Sequence, residues 1–103
     1  MKSIHLLFTY GTLQENTIQL ELFGRILLGV KDVLEGYKIS ENKYEDIYPV
    51  LFQTKNIADI ITGKTYELSS QELEKADNYE GPDYKRVKVT LVSGKKAWVY
   101  IGK

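Results

Sequence analysis

The sequence predicts an α+β fold, a curled sheet or small β-barrel with two short helices set against it. Three observations carry this. Most of the chain divides into short apolar and β-branched runs with strand patterning. Helical patterning with defined ends occurs at two places. Glycines interrupt the strand-rich segments, which favours bending over a flat parallel sheet.

Ile4 to Tyr10 is apolar on both faces, as in a strand covered on both sides, and Gly11 ends the pattern. Asn16 is a candidate cap for a short helix over Thr17–Phe23, with Ile18 and Leu22 on one face and Gly24 at its exit. Leu27-Leu28, Val30, Val33-Leu34 and Tyr37–Ile39 suggest strands interrupted at Gly29 and Gly36. The polar run Ser40–Asp46 reads as a loop. Tyr48–Phe52 reads as a short strand entered through Pro49, since proline lacks an amide hydrogen and suits a strand start or edge. Ile57–Leu68 is β-branched around Gly63, which suggests a strand with a bulge or bend.

The sharpest local signal follows. Ser69 and Glu72 have capping-box spacing, and Leu68 and Leu73 have the spacing of a hydrophobic staple across it. A helix is expected from Ser70 to about Tyr79, stopped by Gly81-Pro82. Val87, Val89 and Leu91 then alternate with Tyr84, Arg86, Lys88 and Thr90. Ser93-Gly94 makes a hairpin turn, and Ala97–Ile101 is the returning strand. No linker or repeat divides the 103 residues, so a single domain over 1–103 is expected.

Composition removes several classes of function. With no cysteine, a disulfide framework, a thiol nucleophile and cysteine-bound zinc are excluded, and a reducing, cytoplasmic setting fits. The single histidine removes a histidine-rich metal site. Fourteen basic residues balance fourteen acidic ones, and the only adjacent basic pairs are Lys85-Arg86 and Lys95-Lys96, so no nucleic-acid partner is expected. No apolar run approaches the roughly 20 residues that span a bilayer. The N-terminus starts like a signal peptide, but its apolar run stops at Phe8 without a small-residue cleavage site, and a first strand is the expected reading.

Two places could carry chemistry. At Tyr10-Gly11-Thr12-Leu13 a strand ends in a glycine turn just before a helix. Successive amides in such a turn can face one anion; the same residues also read as a plain strand-to-helix turn. In Asp77-Asn78-Tyr79-Glu80-Gly81, Glu80 falls at a helix C-terminus, where the macrodipole disfavours a negative charge. That placement, like partial burial, raises a carboxyl pKa and suits a general base. The plain alternative is an exposed acid at a frayed end. The tyrosines of the strand-like segments read chiefly as sheet-surface packing.

Taken in order, these residues resemble the γ-glutamylcyclotransferase-like (AIG2-like) family. The resemblance rests on Tyr10-Gly11-Thr12-Leu13, Asn16, Gly36-Tyr37, Tyr48-Pro49 and Gly63–Leu68, then Leu73, Asp77, Tyr79-Glu80-Gly81, Tyr84 and Arg86, and finally Trp98 and Tyr100. It covers essentially the whole chain. It implies a small mixed β-barrel with flanking short helices. It also implies cyclisation of a γ-glutamyl amine or peptide to 5-oxoproline with release of the amine. The backbone of Tyr10, Gly11, Thr12 and Leu13 would hold the glutamyl carboxylate, Tyr84 would contact the substrate, and Glu80 would be the acid/base. Thr12 stands where some members carry serine. Neither a metal nor another cofactor is implied. The implied partner is a small-molecule γ-glutamyl substrate, and the leaving amine stays open among γ-glutamyl amino acids, glutathione fragments, γ-glutamyl-lysine crosslinks and carrier-linked groups. The wall facing that amine is expected from Ser40–Tyr48. The alternative is a non-catalytic binding or regulatory domain that uses the same pocket for a small carboxylate-bearing ligand.

Overall fold

Strand β1 (Ile4–Thr9) runs through the middle of the molecule. Its consecutive residues Leu7 and Phe8 are both buried, in separate apolar clusters. This explains a strand that is apolar on both faces. A computed structural model describes the backbone of residues 4–44 and 48–102, and their side chains outside 40–50.

A short turn of 3-10 helix (Thr12–Gln14) follows β1 and leads into α1 (Asn16–Phe23). Then come β2 (Val30–Glu35), β3 (Tyr37–Tyr44), β4 (Tyr48–Gln53), β5 (Ile60–Ser69), α2 (Ser70–Glu80), β6 (Tyr84–Thr90) and β7 (Lys96–Gly102). Five strands form one sheet in the order β2-β5-β1-β7-β6, and β3 and β4 form a separate ribbon. β1 pairs antiparallel with β5 and parallel with β7, so the sheet is mixed. The fold is α+β, as the sequence predicts.

The two clusters lie on opposite faces of the sheet. Phe8, Leu34, Ile61, Ala97 and Val99 fill the inside of the curl, where Tyr37 and Leu51 of the ribbon cover them. On the other face Leu7, Tyr66, Leu68 and Tyr100 meet Leu13, Leu73 and Ala76, with Ile18, Leu22 and Phe23 of α1 packed alongside. The edge strands β2 and β6 share no ladder among the described residues. Instead the β6–β7 turn closes the curl: the Val92 amide donates to the Val33 carbonyl at 2.9 Å. Beside it, the Ser93 hydroxyl donates to Asp32 Oδ2 at 2.6 Å.

Several local expectations need correction. Asn16 is the first residue of α1 and Glu15 is its N-cap, because the preceding 3-10 turn carries the chain directly into the helix. Residues 27–29 form no strand; Leu27 is buried with its amide bonded to Gln19 Oε1 at 2.8 Å, while Leu28 is 90% exposed. Most of the expected polar loop Ser40–Asp46 is strand β3, paired with β4 from Tyr37↔Gln53 to Tyr44↔Tyr48 with a register shift after Ser40. Backbone pairing in an antiparallel ribbon tolerates polar side chains. Residues 45–47, and the side chains of the expected Ser40–Tyr48 wall, lie outside the described residues. Gly63 is no bulge, since it pairs in register with Asp32. Its missing side chain allows close approach instead: a Cβ there would sit 2.4 Å from the Thr9 carbonyl oxygen and 2.8 Å from the Phe8 ring.

Helix α2 matches its sequence signals. Ser69 Oγ accepts from the Glu72 amide at 3.1 Å, and Glu72 Oε1 accepts from the Ser69 amide at 3.0 Å. Leu68 and Leu73 lie in one buried cluster. The helix ends at Glu80, and Gly81 takes φ +86°, which a side chain would disfavour.

Candidate active site

The turn after β1 is built by burying the side chains at its two ends. Tyr10 packs against the inner cluster, whereas Leu13, 3% exposed, is buried in the outer one. Gly11 and Thr12 between them are exposed. The Gly11 carbonyl accepts from the Gln14 amide and from Gln14 Nε2, each at 3.2 Å. The first amides of a helical turn have no partner within it, and here these are the amides of Thr12 and Leu13. A Cβ on Gly11 would meet nothing within 4 Å, so space lies open above the turn.

The last turn of α2 reaches this loop. The Thr12 and Tyr79 hydroxyls are hydrogen-bonded at 2.6 Å. The next residue, Glu80, is half-buried, and burial pushes its carboxyl up to about 7. The expected direction holds, and its cause is burial. Burial first, and the Glu80 charge next, hold the Tyr10 hydroxyl above the ordinary tyrosine range. Tyr84 also acts on Tyr10 and packs on the outer cluster. Tyr10, the turn, Glu80 and Tyr84 thus converge at one end of the curled sheet.

A second set of contacts fixes the same helical turn. Arg86 Nη1 donates to both Asp77 oxygens at 2.9 Å. The Tyr100 hydroxyl donates to Asp77 Oδ1 at 2.6 Å. The Tyr10 hydroxyl in turn donates to the Tyr100 carbonyl at 3.3 Å. Burial first, then the Asp77 hydrogen bond, push the Tyr100 hydroxyl above its ordinary range, so it remains a donor at neutral pH. The Arg86 guanidinium also lies 4.6 Å from the Trp98 ring centre.

Tyr100 had only the pattern of a packed strand tyrosine, yet its hydroxyl joins β7 to α2. A period-2 pattern gives the face of a side chain and not its partner. The Thr12–Tyr79 contact was hidden similarly, because it joins residues far apart in sequence. An open cavity of about 610 Å³, lined in part by Gln14, Lys31, Thr62 and Lys64, borders the turn only through Gln14. Among the described residues no group of three or more acidic or histidine side chains is placed to hold a metal ion. Among the described residues no helix is long and apolar enough to cross a membrane.

Comparison with known proteins agrees with this fold. A solution structure from Arabidopsis thaliana is 28% identical and superposes with a TM-score of 0.85, over 99% of this chain and 64% of that one. The chain therefore spans somewhat under two thirds of that plant protein. A second Arabidopsis thaliana protein is 27% identical, with a TM-score of 0.80 over 96% of this chain and 68% of that one. A structure named gamma-glutamyl cyclotransferase shares the fold at 21% identity and a TM-score of 0.70, over 98% of this chain and 68% of that one. No curated protein matches the sequence. The family model described as gamma-glutamyl cyclotransferase, AIG2-like, matches residues 7–103, and the chain belongs to that family.

Proposed function

We propose that the protein cyclises a γ-glutamyl amine or peptide to 5-oxoproline and releases the amine. The observation that carries this reading is the half-buried Glu80 carboxyl, held near neutrality beside the turn after β1. The family supports it, and one structural relative is named gamma-glutamyl cyclotransferase.

In this reading the amides around Tyr10, Gly11, Thr12 and Leu13 bind the α-carboxylate and hold the substrate folded back on itself. Ring closure is intramolecular, so much of the entropic barrier is already met. The α-amine is largely protonated near neutrality and needs a base. Glu80 takes that proton, and the amine nitrogen bonds to the γ-carbonyl carbon. The bond from that carbon to the leaving nitrogen then breaks as Glu80 returns the proton to it. A carboxyl with a pKa of about 7 can both accept and donate at physiological pH. Tyr84 lines the substrate site. The chemistry requires no metal or redox cofactor, and the cysteine-free chain suits the cytoplasm.

The test is 5-oxoproline release from a panel of γ-glutamyl amines and dipeptides, with Glu80→Gln as matched control. Product from the unmodified protein alone is expected. A folded protein that is stabilised by panel members yet forms no product would replace this reading with a binding domain.

A further inference from the structure

Lys31 of β2 and Lys64 of β5 stand directly opposite each other in the antiparallel register, and Val33 stands opposite Thr62 two residues on. Opposed side chains leave the same face of a sheet, with Cβ atoms about 5 Å apart, and like charges so placed repel. No acid offsets this repulsion: the ion pairs among the described residues are Arg25–Glu72 and Arg86–Asp77, and neither lysine takes part. The chain carries as many acidic as basic residues, so the paired cations are a local feature and not the overflow of a basic protein.

The two lysines line the open cavity of about 610 Å³, a volume in the range that small organic ligands occupy. Thr62 and Gln14 add a hydroxyl and a side-chain amide to its wall, and Val33 adds an apolar surface. The Lys64 stem lies over Gly29, where a Cβ would come 3.0 Å from its Cδ, so the missing side chain at Gly29 gives the stem its bed. One acid, Asp32, also borders the cavity. It lies between Lys31 and Val33 and is buried where Lys31 is exposed, which turns it to the opposite face of β2. Its oxygens are engaged there: Oδ1 accepts the Val33 amide at 2.8 Å, and Oδ2 accepts the Ser93 hydroxyl at 2.6 Å. The cavity therefore presents two unpaired cations and two neutral polar groups.

We infer that this cavity is a second ligand site, separate from the turn after β1 and Glu80, and that it takes a small organic dianion, either a phosphate monoester or a dicarboxylate. Neighbouring ammonium groups suit two negative charges: each gives a charge-assisted hydrogen bond, and the bound anion cancels their mutual repulsion. Thr62 and Gln14 supply further hydrogen bonds, and Val33 meets the carbon part of the ligand. The cavity touches the turn only through Gln14, whose Nε2 donates to the Gly11 carbonyl at 3.2 Å. The inference stands on the cavity and the strand register and does not depend on the proposed reaction.

The experiment is an amide NMR titration of the full chain with glycerol 3-phosphate and, separately, with glutarate, at constant ionic strength set with sodium chloride. The unmodified protein is compared with Lys31→Gln/Lys64→Gln. Saturable shifts are expected at the amides of Lys31, Thr62 and Lys64, with Kd on the order of 1 mM, since open and hydrated ion pairs contribute little each. The double variant should weaken binding about tenfold or more. Saturation by the phosphate ester alone, by the dicarboxylate alone or by both supports the site and fixes its ligand chemistry. Shifts that never saturate, that centre on Gly11 to Leu13 instead, or that survive unchanged in the double variant overturn it. If the double variant does not fold, Lys31→Gln replaces it, because Lys31 is exposed. That variant should weaken binding several-fold, and unchanged binding overturns the inference.

Discussion

The two ends of α2 hold glutamates in opposite states. Glu72, in the first turn, shares a bidentate ion pair with Arg25 at 2.8 Å and closes the capping box with Ser69. The Arg25 hydrogen bonds are the main reason its carboxyl is held down near 2. Glu80, about two turns further on, has no such partners, and burial pushes it up to about 7. A satisfied carboxylate strengthens a fold and has little tendency to take a proton. A buried, unpaired one weakens the fold and is ready to exchange protons. The difference separates a structural acid from a candidate functional one on the same helix.

The comparison is most severely tested by turnover. Glu80→Gln should lower kcat for 5-oxoproline release about 10²–10⁴-fold, whereas Glu72→Gln should leave it within a small factor. Equal losses in the two variants would break the distinction. Stability should respond the opposite way. The folded state retains a proton on Glu80 that the unfolded chain releases. Stability from this group is therefore full below its ordinary value of 4.5, declines as pH rises toward about 7 and stays reduced above. Glu80→Gln should stabilise the protein by on the order of 2 kcal/mol at pH 8 and flatten that decline in Tm.

Glu72 titrates in the other sense. Its contribution is present above 4.5 and is lost as pH falls toward 2. Glu72→Gln should destabilise the protein by about 1 kcal/mol near neutrality, a modest value because the Arg25 side chain is 52% exposed. The acid-side fall in Tm should shrink accordingly. The smallest effect is expected from Tyr79→Phe, which removes the tie between α2 and the turn after β1. KM should rise about threefold with kcat nearly kept. An unchanged KM would mean that the turn needs no tether.

What was legible in the sequence follows from the range of the forces involved. The capping box and staple of α2 join neighbours, so spacing reveals them, and Ser69, Glu72, Leu68 and Leu73 all take their expected parts. The alternation of Val87, Val89 and Leu91 also reports one face correctly. The bulge offered for Gly63 is absent, and its actual constraint comes from Thr9 and Phe8, more than fifty positions away in the chain. Gln19 is 1% exposed, yet its spacing on α1 gave no sign that it would bond the Leu13 carbonyl and the Leu27 amide. At the candidate site, motif order drew attention to Glu80 and the turn. The links through Tyr79, Asp77, Arg86 and Tyr100 needed three-dimensional packing.

The curl of the sheet has a seam. Its paired strands are stitched along their lengths, whereas β2 meets the β6–β7 turn through the Val92–Val33 backbone bond and the clasp between Ser93 and Asp32. Burial opposes the charge on Asp32, but the bonds from Ser93 and Val33 outweigh it and hold the carboxyl below its ordinary value. The molecule is thus a folded sheet fastened by one buckle, and acid loosens the buckle. Opening there would expose the inner cluster at that edge while β1, β5 and β7 stay joined. The amides of Val92 and Ser93 would then exchange with solvent ahead of those in the central ladder.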